Sequence, residues 1–313
     1  MTIVKPKVLV TGASGFLGTN LLAELVKLKY ETLAISRSKK KEKSEDSITW
    51  LKANLSQPMT YMLKVKEFNP EVVIHLAWQD IPDFSFESSN NNLNQSLEFL
   101  SFISNLSNCK KILVSGSCWE INQTRGKFSD EDQIRTVKNF IWAKNSLLSW
   151  LEKRCSEKNI KFSWFRIFYV YGPRQREESL IPSILKSLKL GELPPIKTPS
   201  ASSDYIFVKD VVNAFVLALS KDTMSGVYNL GTGKPSSVIE ICGLSELIAL
   251  DSDKLTKKLK EKCKLEKETT TYLADITKTT HALGWKPKVK FKDLVKIMVE
   301  SDKKKSLKGK ILQ

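Results

Sequence analysis

Apolar residues in this 313-residue chain fall first into short β-branched runs separated by stretches with helical spacing. Residues 7–11 (KVLVT) form a continuous apolar run ending in a glycine-rich turn, the pattern of a strand buried on both faces. Residues 16–28 follow, with Leu17, Leu21, Leu25 and Leu28 on one helical face. The same reading predicts strands at 31–36, 51–54, 71–76, 110–115 and 161–169, and helices at 61–68, 92–106 and 139–157. Strand and helix alternating in this way predict an α/β fold, a Rossmann-type doubly wound parallel sheet covered on both faces. Beyond residue 171 Pro, Gly and Ser become frequent, and isolated helices are predicted at 209–220, 237–249, 276–283 and 292–300. The expected organisation is a dinucleotide-binding domain over 1–171 to which later segments return, a smaller α/β lobe over 172–300 that is mainly substrate-binding, and a basic tail over 301–313.

Composition narrows this picture in three ways. Fifty Lys and Arg against 34 Asp and Glu give +16, which favours anionic partners without choosing among them. The lysines are dispersed or in short runs (39–43, 257–264, 303–310), so nucleic acid is not the expected partner. Five widely spaced cysteines without a C-x-x-C pair read as reduced thiols, and two histidines exclude a multi-histidine metal site. The N-terminal stretch shows no signal-peptide pattern and no long apolar run occurs, so a cytoplasmic chain without membrane contact is expected.

The densest chemical signal is TGASGFLG at 11–18, a G-x-x-G-x-x-G loop between a predicted strand and a predicted helix. Gly12, Gly15 and Gly18 let the backbone turn and approach a pyrophosphate, and the helix N-terminus supplies amide donors. Thr11, Ser14, Phe16 and Leu17 complete this expected contact. A carboxylate for a ribose 2′-hydroxyl belongs about 20 residues further on. That stretch reads Ser36-Arg37-Ser38-Lys39-Lys40, with no acid before Glu42. A guanidinium among hydroxyls suits a 2′-phosphate, so NADP(H) is favoured, with NAD(H) as the alternative.

Further motifs run along the chain: HLA at 75–77, VSGS at 114–117, FYVYGP at 168–173, DYIFVKDVV at 204–212, YNLGTG at 228–233 and LGWKP at 283–287. With the glycine loop, Asn92 and Lys144, they make the chain resemble the extended short-chain dehydrogenases/reductases, in the nucleotide-sugar epimerase, dehydratase and reductase group. The resemblance implies that Asn54 and Leu55 lie at the adenine, and that Leu76, Ala77, Trp78, Asn92, Ser115, Phe168 and Val170 line the dinucleotide. It further implies a reactive set of Ser or Thr, Tyr and Lys, the last two written Y-x-x-x-K on one helical face. Ser117 and Lys144 match, but the tyrosine position holds Phe140, and no tyrosine lies between Ile121 and Lys161.

Three readings stay open at this point. Another group supplies the proton, with Ser117, Cys118, Tyr169 and Tyr171 as candidates; or Lys144 acts with a water; or the chain binds cofactor without turnover, as a sensor or scaffold. The dehydratases of the group carry an acidic pair after the Ser/Thr, where this chain has Cys118 and Trp119, with Glu120 one place late. A ketoreductase or epimerase acting on a nucleotide-diphosphate sugar is therefore expected, and an RNA-binding relative is the remote alternative. Arg174, Arg176 and Lys209 are the substrate-binding candidates, while Ser203 stands where many members have arginine. The resemblance also implies a homodimer through the helices at 92–106 and 139–157, with Leu97, Leu100, Trp142, Leu147 and Trp150 available for its apolar face.

Overall fold

The computed structural model describes residues 5–38, 47–120, 138–196, 198–262, 273–293 and 295–301. Lys39, Lys40 and the rest of the basic run at 39–43, Cys263 and the tail from residue 302 lie outside the described residues. The chain divides into two compact units, 1–167 with 212–228, and 168–211 with 229–313.

A seven-stranded sheet dominates the first unit. Its strands are β1 (Val8–Thr11), β2 (Thr32–Ser36), β3 (Ile48–Lys52), β4 (Val72–His75), β5 (Lys111–Ser117), β6 (Lys161–Ile167) and β9 (Gly226–Leu230), in the order β3-β2-β1-β4-β5-β6-β9. Pairing is parallel from β3 through β6, with Thr11 opposite His75 and Ser115 opposite Phe165. Every residue of β1, β2 and β4 is buried, which is why these strands read as unbroken apolar runs. The parallel neighbours β1–β2, β4–β5 and β5–β6 are connected through α1 (Phe16–Lys27), α3 (Phe86–Ile103) and α4 (Asn139–Lys158), while α2 (Met62–Phe68) carries the chain from β3 on one edge back to β4 beside β1. The strand order reverses direction between β1 and β4, and a crevice forms there at the carboxyl ends of the strands.

Leu100 and Leu147 are fully buried in this unit's own core, and Leu97 and Trp150 pack against it. Trp142 keeps 37% of its surface and stacks on the more exposed Phe86 at 5.6 Å.

The second unit contains a three-stranded sheet, β10 (Pro235–Ser237), β8 (Ser202–Phe207) and β7 (Tyr169–Tyr171). Its helices are α5 (Leu180–Leu190), the start of α6 (Val208–Ser220), α7 (Val238–Leu250), α8 (Lys254–Lys262) and α9 (Thr277–Leu283). The sequence pattern predicts no helix at α5 and no strand at β8. Pro182 lies in the first turn of α5, where a missing N–H costs nothing, so it does not break the helix. Strands β7 and β10, of three residues each, are too short to show a two-residue period, and pairing with β10 places Ser203 of the six-residue β8 in a buried position.

Two buried carboxylates organise this unit. Asp204 is fully buried and accepts from the backbone N–H groups of Thr232, Gly233 and Ala274 and from the Thr232 hydroxyl, at 2.6–3.2 Å. Asp210 accepts from the N–H groups of Lys288 and Val289, and its carbonyl accepts from Trp285 Nε1. The segments YNLGTG and LGWKP are thus held by the two aspartates of DYIFVKDVV. No described helix is long and apolar enough to cross a membrane, and no metal-holding group of His, Cys, Asp and Glu occurs among the described residues.

Candidate functional site

The glycine loop leaves β1 and enters α1 in a geometry that only glycine allows at two points. Gly12 has φ +65°, and a Cβ there would lie 2.8 Å from Ala77 N and from Leu76 C. At Gly18 a Cβ would meet Gly12 O at 2.3 Å, so the first turn of α1 sits directly on the loop. Gly15 caps α1 without any side-chain bond, leaving the first-turn amides to face a ligand anion.

Behind the loop a buried relay ties three elements together. Ser96 Oγ donates to Asn92 O, so it accepts from His75 Nε2–H at 3.0 Å. His75 Nδ1 then accepts from the Thr11 hydroxyl at 2.9 Å, and Thr11 Oγ1 accepts from Ala77 N. Burial, with the Lys144 charge adding to it, holds the imidazole pKa down to about 3, so His75 is a neutral strut. The ring also stacks on Phe99.

A cleft of about 700 Å³ opens over this framework. Of the residues expected at the cofactor, Thr11, Gly12, Ser14, Gly15, Ser36, Arg37, Leu55, Leu76, Ala77, Trp78 and Asn92 line it. Phe16, Leu17, Gly18, Ser38, Asn54 and Ser115 do not. Asn54 instead accepts from Ser56 N in a local turn, and Ser38 N donates to Ser36 Oγ. Gln79, Gln95 and Ser96 line the cleft as well, and sequence reasoning missed them. The available signal was position, since Gln79 directly follows HLAW at the end of an apolar strand. No carboxylate is among the described lining residues. Glycines that a Cβ would jam and bare helix amides fit the pyrophosphate of a dinucleotide.

Near the end of β5 the residues expected to react form a second cluster. Ser117 Oγ accepts from Trp119 N at 3.2 Å, which leaves its own O–H free to donate. Cys118 is buried at 3% exposure. Lys144 is buried, donates to Ser115 O at 2.9 Å, and lies 3.9 Å from the centre of the Trp78 ring. Burial lowers its pKa to about 8, against the opposing pull of Glu120. Glu120 is itself sealed, accepting from Ser117 N, Trp164 Nε1 and Arg166 Nε at 2.6–3.2 Å. Burial raises the pKa of Glu120, and Lys144 is the first of the groups resisting that rise. Phe140 is 6% exposed inside a cage of Trp78, Phe84 and Trp119, with ring centres 5.2–6.2 Å away. Phe140 and Lys144 are four residues apart on α4, and Trp78 touches both.

Residues 8–231 match the model of the NAD dependent epimerase/dehydratase family. The chain belongs to that family. Members similar to it include the dTDP-4-dehydro-6-deoxyglucose reductase of Escherichia coli, 25% identical with 95% of this chain and 98% of the relative aligned. The UDP-glucose 4-epimerase of Mycolicibacterium smegmatis is 26% identical over 75% of this chain and 80% of its own length. Among solved structures, the UDP-glucose 4-epimerase of Thermotoga maritima with UDP-glucose superposes with a TM-score of 0.75. It is 25% identical, and the match covers 96% of this chain and 99% of that one.

In this family member the substrate-side candidates all fall in the second unit, but not together. Arg174 has φ +74° and lines a hollow with Lys186 and Lys189 of α5. Arg176 O accepts from Ser179 N, and Lys209 is exposed at the start of α6. A larger hollow of about 1160 Å³ is lined by Tyr205, Thr232, Lys234, Lys286, Lys288 and Lys290 with their neighbours, and sequence reasoning missed it. Phe168 N donates to Leu230 O and Val170 O accepts from Gln175 Nε2, both within this unit.

Proposed function

We propose that this epimerase/dehydratase-family chain is an NADP(H)-dependent ketoreductase of a nucleotide-diphosphate sugar. The observation that carries the reading is the cleft wall at the end of β2, where Ser36 donates to Ser14 of the glycine loop, Arg37 lines the same cleft and no described acid intervenes. A free ribose diol calls for a carboxylate there, whereas a 2′-phosphate calls for a cation and hydroxyls.

Reduced cofactor, when bound, supplies a hydride to the carbonyl carbon of the sugar, and the carbonyl oxygen needs one proton to become an alcohol. Ser117 holds that oxygen through its unused O–H. Lys144 carries the proton, being an ammonium below its pKa of about 8, and a water returns the proton to it. Trp78, against the Lys144 ammonium, keeps bulk water from it and fixes its direction. The enzyme works as a homodimer through α3 and α4, in line with the exposed Phe86–Trp142 stack on these helices. A sedimentation measurement checks this, a monomer counting against it.

The test of the reaction is NADPH oxidation over a panel of 4-keto nucleotide sugars. Net NADPH loss supports the reductase; interconversion of two nucleotide sugars with no net NADPH loss replaces it by an epimerase. One observation favours a second reading, binding without turnover. Among the described residues, the rings around Phe140 bring no acid to the position where the family resemblance expects a phenol. NADPH binding with no turnover on any panel member decides for it.

A further inference from the structure

Arg37 is exposed at the end of β2, and Gln79 lies beyond the end of β4, so the two belong to different walls of the cleft. Arg37 Nη1 donates to Gln79 Oε1 at 2.8 Å, spanning from one wall to the other. Gln79 cannot turn away, because its Nε2 donates to Gln95 Oε1 at 2.7 Å. Its backbone is held too: Gln79 N donates to Asn92 Oδ1 at 2.6 Å, and Asn92 Nδ2 donates to Gln79 O at 3.3 Å. Asn92 is buried and also donates to Ser88 O within α3. The guanidinium is therefore hooked through one amide to the rigid body of α3. Arg37 makes no ion pair among the described residues.

We propose that Gln79 is a positioning residue that sets how strongly this chain discriminates NADP(H) from NAD(H). The inference rests on the NADP(H) reading above. An arginine free in solvent must be ordered before it binds a phosphate, at a cost of about 0.5–1.5 kcal/mol. An arginine already held across the cleft binds the phosphate without that cost. The chemistry of the tether matters as much as its position. A guanidinium has five N–H donors, and a single bond to a neutral amide leaves the other donors and the full charge for a phosphate. A carboxylate at position 79 would hold Arg37 as well but would cancel its charge and repel the phosphate. Ser14 and Ser36, joined at 2.9 Å, offer hydroxyls to the same group.

The experiment is calorimetric titration of the full chain with 2′,5′-ADP and with 5′-AMP, which differ at the 2′-phosphate. Wild type, Arg37→Ala, Gln79→Ala and Gln79→Glu are compared, with thermal unfolding as the check on folding. Gln79→Ala is expected to weaken 2′,5′-ADP by about 2- to 10-fold, the ordering cost converted at 1.4 kcal/mol per decade, and to leave 5′-AMP within about twofold. Gln79→Glu is expected to abolish the preference for 2′,5′-ADP, as Arg37→Ala does. Equal weakening of both nucleotides in Gln79→Ala shows a purely structural role and overturns the proposal. Loss of preference in Arg37→Ala with none in Gln79→Ala or Gln79→Glu also overturns it, while the cofactor reading stands. A wild type that does not prefer 2′,5′-ADP removes the cofactor reading and the proposal with it.

Discussion

Phe140→Tyr puts a phenol back on the face of α4 that carries Lys144, without changing the size of the ring. The phenol oxygen would enter a cage of Trp78, Phe84 and Trp119, all rings, with Lys144 one turn away and held to Trp78. A hydroxyl buried without a partner costs about 1–3 kcal/mol, so a small fall in stability is expected, read as a lowered urea midpoint. The gain is kinetic. A positioned general acid is worth about 10²–10⁴-fold, equivalent to roughly 3–5 kcal/mol of barrier at 1.36 kcal/mol per decade. If Lys144 alone serves the wild type, kcat for NADPH oxidation should rise within that range while NADPH affinity stays the same. The assay is steady-state loss of NADPH absorbance with the best keto-sugar, alongside a cofactor titration of both proteins. An unchanged or lower kcat in a folded, cofactor-binding Phe140→Tyr protein refutes this reasoning. It would mean that the proton travels by another route, and Cys118→Ala would be the next variant to measure.

Lys144 also sets a pH expectation. Its folded pKa of about 8 lies below the unbound 10.5, so the unfolded chain binds more protons between these values and stability should rise with pH across that window. The shift corresponds to roughly 3 kcal/mol, and a Lys144→Met variant should lose the slope in urea denaturation measured across that window. His75 gives the acid counterpart. With a folded pKa of about 3 against 6.5 unbound, stability should fall as pH drops below about 6.5, and His75→Gln should flatten that limb. Asp204→Ala would strand the backbone N–H groups of Thr232, Gly233 and Ala274, while the Thr232 hydroxyl keeps the Lys234 carbonyl. A loss of about 3–5 kcal/mol or failure to fold is expected, and a loss under about 1 kcal/mol by denaturation would show that water replaces the carboxylate.

The sequence alone determined the alternation of buried strands and amphipathic helices, because local period and β-branching record which faces are covered. It also determined the glycine loop, since a turn that a Cβ would jam against Leu76, Ala77 and Gly12 can be written only with glycine. Packing decided the rest. Glu120 reads in sequence as a misplaced acid, and only the approach of Trp164 and Arg166 on β6 makes it a sealed counter-charge to Lys144. Leu100 and Leu147 read as apolar faces that a partner could cover, and the fold spends them on its own core. Arg37 reads in sequence as a guanidinium suited to a 2′-phosphate, but its partner Gln79 lies 42 residues further along the chain. Their bond exists because parallel pairing of β2 and β4 with β1 brings two strand ends to one crevice, a juxtaposition no local pattern encodes.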